Sequence, residues 1–560
     1  MSKALDCALE PGARAMVADM LEPPDGMTLR RGVLTSFTLD LATALIVPLI
    51  VAGHDADDPA AATPRIAGLP YAMERLAVFL EAGQLSGRDA GSEVGTLIAP
   101  MLREVLVPDR TPGALHTFHP KLFALQFRAR EDGSGARVRR DVVRLVIGSR
   151  NLSRSTSRDL AVVMEGEVGT AGVASRRRNE PVASLLRALP GMRVDRDASA
   201  HRGSLLDEEV EALAEAVERT EFEAPDGFAF EGFALGMKGQ IGWRPERCDR
   251  FTVVSPFCQD DTLAAYGETS GAGGRVLVSR RETLAKLKPG TLDEWDTYGF
   301  GGAAAAPNET DGADPGKENA AVAEPPGDEA DEIDRLHAKL YVEERAGAPA
   351  RLTIGSGNAT DPAREGRNIE TYAVLRTLGD LPDPLPEPFA AGSATAALDP
   401  LVTRYEPDED IEGLLEDEGE EGGLGSREGR LLTYELLDGC YGLRFERADD
   451  GWACRIECRA APELLGPVRV TARPVTASPD VAARLDALGM GEGHDFPAVP
   501  LADLTPFVEF TIAVHDGGGG GNLRHTASPR GVPNVGAPGG RAAPSPAGGG
   551  GLALRPCGRT

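Results

Sequence analysis

Two stretches of this chain repeat one set of residue types at matching spacing. His119-Pro120-Lys121 is followed by Gly148-Ser149-Arg150-Asn151, and His337-Ala338-Lys339 is followed by Gly355-Ser356-Gly357-Asn358. Imidazole, ammonium and carboxamide together suit chemistry at phosphorus. A neutral imidazole can attack phosphorus, and a protonated one can deliver a proton to a departing oxygen. Lys121 and Lys339 would neutralise charge on the non-bridging oxygens. Asn151 and Asn358, with Ser149 and Ser356, would hydrogen-bond the same oxygens, which is electrostatic stabilisation of a five-coordinate phosphorus. Arg150, the variable residue of the first Gly-Ser-x-Asn, offers one more phosphate contact. Each glycine lets the backbone turn tightly and come close to a substrate.

Such groups act only if rigid elements aim them. Residues 122–127 and 142–147 are compact apolar runs that read as strands, joined by the charged turn 128–141. Residues 340–342 and 351–354 form a second hairpin with a shorter turn. On a strand, residues i and i+2 share a face, so His119 and Lys121 project together, as do His337 and Lys339. Further strands are expected at 76–80, 251–254 and 275–278. Helices are expected at 35–52 (capped by Thr38 or Asp40), 93–107, 207–219 and 261–266. The repetition of motif and context implies an internal duplication into two α/β halves.

The duplicated His-x-Lys and Gly-Ser-x-Asn pattern resembles the signature of the phospholipase D superfamily, over roughly residues 28–380. The resemblance implies two similar halves, each a mixed sheet flanked by helices, meeting so that both motifs line one cleft. It implies cleavage or transfer of phosphodiesters without a metal or other cofactor, through a covalent phosphohistidine. It further implies His119 as nucleophile, His337 as general acid, and a carboxylate after each asparagine that orients the opposite or neighbouring imidazole. Glu370 fills that place in the second copy, and Asp159 in the first, with Glu165 as a fallback. One departure from the family pattern is visible: Gln126 and Glu344 stand where an Asp often lies five residues after the Lys. Several nuclease-like relatives lack that Asp, whose role is mainly structural, so its loss weakens a lipid-directed reading more than it weakens catalysis.

A chain of 560 residues is long enough for two to four domains. The organisation expected is an N-terminal extension at 1–27, a first half at 28–245 and a second half at 246–380 carrying an acidic, disordered insertion at 301–332. An acidic linker at 381–428, a β-rich module at 429–514 and a Gly/Pro-rich disordered tail at 515–560 follow. The formal charge of −28 argues against a protein that coats nucleic acid. Its distribution qualifies that: residues 101–200 hold 18 Lys and Arg against 11 Asp and Glu, a local excess of seven positive charges. A polyanionic substrate is thereby permitted. The seven cysteines include no Cys-x-x-Cys pair, which fits reduced thiols and supports no zinc site. No signal-peptide core is seen, and the longest apolar run, residues 42–52, is too short for a bilayer. A cytoplasmic protein without membrane association is expected.

The leading expectation is a metal-independent phosphodiesterase acting on nucleic acid, DNA before RNA. Its layout resembles bacterial nucleases of this superfamily found in anti-phage defence, so proteins of such a system are expected partners. The competing readings are a phospholipase or phosphatidyl transferase, and a non-catalytic phosphate-binding scaffold in a defence complex.

Overall fold

A computed structural model of the chain describes residues 17–52, 62–86, 101–105, 107–108, 115–129, 140–153, 157–193, 205–271, 274–300, 336–406, 441–448, 451–458, 468–500, 508–514 and 522–527. The acidic insertion at 301–332, the acidic stretch 407–428 and the turn residues 130–139 lie outside the described residues.

The first half is built on a six-stranded mixed sheet. Its strands are β1 (Met27–Ser36), β2 (Leu76–Glu81), β3 (Leu102–Val105), β4 (Leu122–Ala129), β5 (Val142–Gly148) and β6 (Ala161–Glu167), in the order β6-β5-β4-β1-β2-β3. Strands β1, β2 and β3 run parallel, whereas β4, β5 and β6 join as antiparallel neighbours. The second half repeats this order with β8 (Arg250–Val254), β9 (Arg275–Ser279), β10 (Asp296–Phe300), β11 (Leu340–Glu344), β12 (Arg351–Gly355) and β13 (Glu370–Thr377). Its sheet adds β7 (Phe228–Gly236) at one edge and β14 (Val402–Arg404) at the other, giving β7-β13-β12-β11-β8-β9-β10-β14. The parallel and antiparallel pairings match strand for strand. The expected duplication into two mixed sheets is therefore observed.

Both faces of each sheet are covered, which explains the continuous apolar runs of the central strands. Alternate residues go to different cores. Val33, Leu122, Ala124 and Leu145 pack with Leu340, Val342, Leu352 and Ile354 of the second half in one shared core. The helices α3 (Val173–Met192) and α4 (Asp207–Glu218) also contribute to it through Leu185, Leu186, Leu213 and Val217. The opposite face of the first sheet, through Leu34, Phe123 and Leu125, packs on α1 (Leu41–Val51) and α2 (Ala62–Met73). The opposite face of the second sheet carries an aromatic cluster of Trp243, Phe251, Tyr266, Tyr341 and Tyr372. The short helices α5 (Asp260–Gly267) and α6 (Arg281–Ala285) pack there through Leu263 and Leu284.

Several expectations need correction. The expected helix at 35–52 begins only at Leu41, because Thr35 and Ser36 complete β1 and are fully buried. Of the two proposed caps, Asp40 immediately precedes the helix, and Thr43 donates to its carboxylate at 3.0 Å. In the expected helix 93–107, residues 102–105 are instead strand β3, whose buried Leu102 and Val105 extend the sheet beside β2. The N-terminal boundary also moves. Leu21 and Met27 are buried in the core on the α1 and α2 face of the first sheet, so the fold begins before residue 28.

Residues 381–405, expected as the start of a linker, pack on the second half instead. Leu381, Phe389, Leu398 and Leu401 join the shared core, and β14 pairs with β10. Glu344 supplies the reason. It is fully buried, accepts from Arg250 Nε at 2.5 Å and accepts from the backbone N–H of Ala394 at 3.0 Å. Arg250 in turn donates to the carbonyl of Pro386. Two buried opposite charges thus tie this segment to the sheet. Glu344→Ala leaves Arg250 buried without its carboxylate, and a destabilisation of about 3–5 kcal/mol is expected. Urea unfolding checks it; a variant within 1 kcal/mol (about the worth of an exposed pair) would show that the pair is not a structural tie.

The C-terminal module consists of two small sheets. β15 (Tyr441–Ala448), β16 (Gly451–Cys458) and β18 (Gly493–Val499) form one. β17 (Val468–Pro474), β19 (Val508–Val514) and β20 (Asn522–Ala527) form the other, with the two-residue strand Ala483–Arg484 at its edge. β20 lies within the tail expected to be disordered, and its register against β19 spans six residue pairs. Among the described residues no helix is long and apolar enough to cross a membrane.

Candidate active site

Each His-x-Lys segment leads into the strand next to the first parallel strand of its half, and each Gly-Ser-x-Asn follows the next strand. Leu122 opposes Ile147 and Leu340 opposes Ile354. The glycines of the motifs have a steric cause. A Cβ on Gly148 would lie 2.6 Å from the carbonyl oxygen of Leu160, and one on Gly355 would lie 2.2 Å from that of Thr371. Those carbonyls accept the backbone N–H of Ser149 and Ser356, at 2.9 and 3.0 Å.

The halves are stitched together beside the histidines. Phe118 forms a parallel bridge with Ile369, and Leu336 forms one with Arg158. His119 N donates to the Ile369 carbonyl at 3.1 Å, and His337 N donates to the Arg158 carbonyl at 3.0 Å. The residue after each of these partners is a carboxylate. The imidazoles are consequently held across the interface: His119 Nδ1 meets Glu370 Oε2 at 2.9 Å, and His337 Nδ1 meets Asp159 Oδ1 at 2.7 Å. Each half's histidine is thus oriented by the other half's carboxylate. Of the two first-copy candidates, Asp159 occupies the site. Glu165 instead pairs with Arg144 in the sheet.

The serines differ from expectation. Ser149 and Ser356 are fully buried and donate to Asp159 Oδ1 (2.7 Å) and Glu370 Oε2 (2.5 Å). Each also accepts a backbone N–H, from Leu160 and Thr371, at 3.0 Å. Their hydrogens are committed to the carboxylates, so they hold the histidine partners rather than reach phosphate oxygens. Arg150 lies half-buried in the loop between Ser149 and Asn151.

The lysines are buried, Lys121 at 2% and Lys339 at 0% exposure. Lys121 Nζ lies 2.8 Å from His119 Nε2. An ammonium can only donate, so Nε2 is the acceptor and the proton of neutral His119 sits on Nδ1, facing Glu370. That tautomer leaves the Nε2 lone pair as the reactive one. Lys339 donates to the carbonyl of His337 at 2.9 Å. Phe37 packs edge-on against His119, with centroids 5.5 Å apart.

The electrostatics favour neutral imidazoles and ionised carboxylates. Burial pushes His119 below the ordinary histidine value, aided by Lys121 and Lys339 and opposed by Glu370. Burial likewise pushes His337 down, with Lys339 adding to it and Asp159 opposing. Burial alone would raise Glu370 and Asp159. The facing histidines, the lysines and the serine hydroxyls outweigh it, and both stay below the usual carboxylate range.

Several residues that position this site stood outside the motifs. Thr35 Oγ1 donates to the Pro120 carbonyl at 3.0 Å and accepts from Leu122 N at 2.9 Å, clamping the first His-x-Lys. Glu81, at the end of β2, accepts from Phe118 N at 2.8 Å. Arg280, after β9, donates to the Leu336 carbonyl at 2.8 Å and lies over the ring of Phe257. All three sit at or near the C-terminal ends of parallel strands, where α/β sheets commonly place ligand sites; that position was the available signal. Two nearby basic features of the sequence, His116 and the run Arg176-Arg177-Arg178, are engaged in the fold instead. His116 pairs in a two-residue strand with Val107–Pro108, and Arg178 of the 176–178 triplet is tied to Glu221 and the Phe230 carbonyl.

Neither a protein-family model nor a curated protein matches this sequence. Among solved structures, a crystal structure of yeast tyrosyl-DNA phosphodiesterase is similar at 11% identity, covering 65% of this chain and 87% of that chain, with a TM-score of 0.35. A histidine-to-asparagine mutant of the same yeast protein is similar at 11% identity over 62% of this chain and 84% of that chain, with a TM-score of 0.34.

Proposed function

We propose that this chain is a phosphodiesterase that cleaves nucleic acid through a covalent phosphohistidine, with no step routed through a metal. The crossed pairs His119–Glu370 and His337–Asp159 carry this reading. They supply two imidazoles from opposite halves, each held at Nδ1 by a carboxylate, with two buried lysines in the same motifs. His119 Nε2 in its neutral form attacks phosphorus, and His337 in its protonated form gives its Nε2 proton to the departing oxygen as the P–O bond breaks. Water then enters with His337 as base, and the P–N bond to His119 breaks. Lys121 releases the Nε2 lone pair as its ammonium turns to a non-bridging oxygen; Lys339, Asn151 and Arg150 bind the phosphoryl group from the other sides. Nucleic acid, DNA before RNA, is favoured over lipid by the local excess of positive charge across residues 101–200. On the likeness to defence nucleases described above, the setting assigned is anti-phage defence, with proteins of that system as partners.

Labelled single- and double-stranded DNA, RNA and phosphatidylcholine vesicles, each incubated with the protein in EDTA, test the substrate class. Cleavage of DNA with intact phosphatidylcholine is expected. Hydrolysis of phosphatidylcholine with intact DNA and RNA would overturn the nucleic-acid assignment.

A further inference from the structure

In each half a serine at or just after the end of the first parallel strand makes the same two contacts. Ser36 Oγ donates to the Thr38 carbonyl at 2.5 Å and accepts from Leu152 N at 2.9 Å. Ser255 Oγ donates to the Phe257 carbonyl at 2.7 Å and accepts from Ala359 N at 3.0 Å. Leu152 and Ala359 directly follow Asn151 and Asn358, so each asparagine loop hangs from an equivalent serine. The next residue breaks the equivalence. Phe37 N–H donates to Asn151 Oδ1 at 3.3 Å. Its counterpart is Pro256, which has no N–H. Among the described residues, Asn358 Oδ1 is correspondingly buried with no hydrogen-bond partner.

The two carboxamides are therefore not interchangeable. Asn151 has its oxygen anchored, which leaves its NH₂ for accept-only phosphoryl oxygens. The Asn358 oxygen needs a donor, and a diester phosphoryl group has none to offer. We propose that Asn358 Oδ1 accepts an O–H from the group exchanged at phosphorus, and that Pro256 reserves it for that use. This rests on the phosphohistidine reading above. In a double displacement the departing alcohol and the attacking water occupy the same position, opposite the histidine nitrogen. The alcohol carries an O–H once His337 has protonated it. The water carries two: one proton passes to His337 Nε2 as the oxygen bonds to phosphorus and the P–N electron pair returns to His119 Nε2, and the other is held by Asn358. Asn358 so orients the lone pair of the water toward phosphorus.

Pro256→Ala restores the missing N–H and gives Asn358 Oδ1 an internal donor, as Asn151 has. The carbonyl of residue 256 keeps its bond from Thr283 Oγ1 (2.8 Å), so the loop retains a tether. The substrate is a p-nitrophenyl ester of thymidine monophosphate, whose p-nitrophenolate departs without a proton. Rapid-mixing kinetics should show, for Pro256→Ala, a burst of about one p-nitrophenolate per protein at the wild-type rate. Steady turnover should then run about tenfold below wild type, the worth of one hydrogen bond at the transition state. Phe37→Pro, compared with Phe37→Ala to discount the lost ring, should slow the burst instead. Equal slowing of burst and steady phases by Pro256→Ala, or no change in either, would overturn the role of Asn358 while leaving the phosphohistidine reading intact. A wild-type protein that releases no p-nitrophenolate would overturn both.

Discussion

His119→Ala is expected to lower kcat by about 10⁴-fold or more on every substrate, whereas the loss in His337→Ala depends on the leaving group. The asymmetry follows from the roles. Without the His119 imidazole no P–N bond forms, and removing a covalent nucleophile leaves only binding and charge stabilisation. His337 moves a proton, which contributes about 10²–10⁴-fold where the departing oxygen is a poor leaving group. A nucleotide alkoxide is such a group; p-nitrophenolate is not. His337→Ala should therefore lose about 10²–10⁴-fold on an oligonucleotide, yet release p-nitrophenolate from an activated diester in a single turnover at close to the wild-type rate. Single-turnover rates of the two variants on both substrates check this. The opposite pattern, with leaving-group dependence in His119→Ala, would interchange the two histidines.

The second large effect belongs to the carboxylates. Glu370→Gln replaces the acceptor facing His119 Nδ1 with a group that can also donate to it. That favours the tautomer whose Nε2 carries a hydrogen and lacks a lone pair. A loss of about 10³–10⁴-fold in kcat is expected, as for an orienting carboxylate elsewhere, with little change in KM. The pH dependence follows with a definite sign. Both imidazoles lie below the ordinary histidine value of about 6.5. The acid limb of kcat/KM, where His119 must lose its proton, and the alkaline limb, where His337 must keep one, are therefore both displaced toward acid. The optimum on an oligonucleotide should lie below about pH 6.5. Asp159→Asn removes the negative charge that holds His337 up, so its alkaline limb should move further toward acid. With the p-nitrophenyl substrate the alkaline limb of the first step should vanish. An alkaline limb that moves upward in Asp159→Asn would contradict the assignment of His337 as the acid.

The core of the site was legible in the sequence because it is duplicated. His-x-Lys and Gly-Ser-x-Asn recur in order, and the apolar runs beside them have the length of strands buried on both faces. What could not be read was the exchange between halves. Whether Glu370 orients His119 or His337 depends on how two sheets meet, and that is decided by the Phe118–Ile369 and Arg158–Leu336 bridges, between residues far apart in the chain. Ser149 and Ser356 carry hydroxyls suited equally to phosphate or carboxylate, and only the proximity of Asp159 and Glu370 selects the latter. The start of α1 is not legible because residues 33–52 form one apolar-rich stretch without a Gly or an early Pro, so the end of β1 and the start of the helix share a pattern. Residues 381–405 read as a linker by their prolines. Their place in the fold is fixed by the buried Arg250–Glu344 pair, which reaches the Pro386 carbonyl and the Ala394 N–H. Pro256 belongs to neither motif, and its meaning appears only beside Phe37, its counterpart in the other half.

The central claim is that His119 becomes covalently bound to phosphorus. Mass spectrometry of the His337→Ala protein, mixed with the p-nitrophenyl ester of thymidine monophosphate and denatured in alkali to preserve the P–N bond, tests it most directly. A thymidylyl adduct mapping to His119 is the expected result. Continued p-nitrophenolate release with no adduct on His119 at any time point would contradict the account.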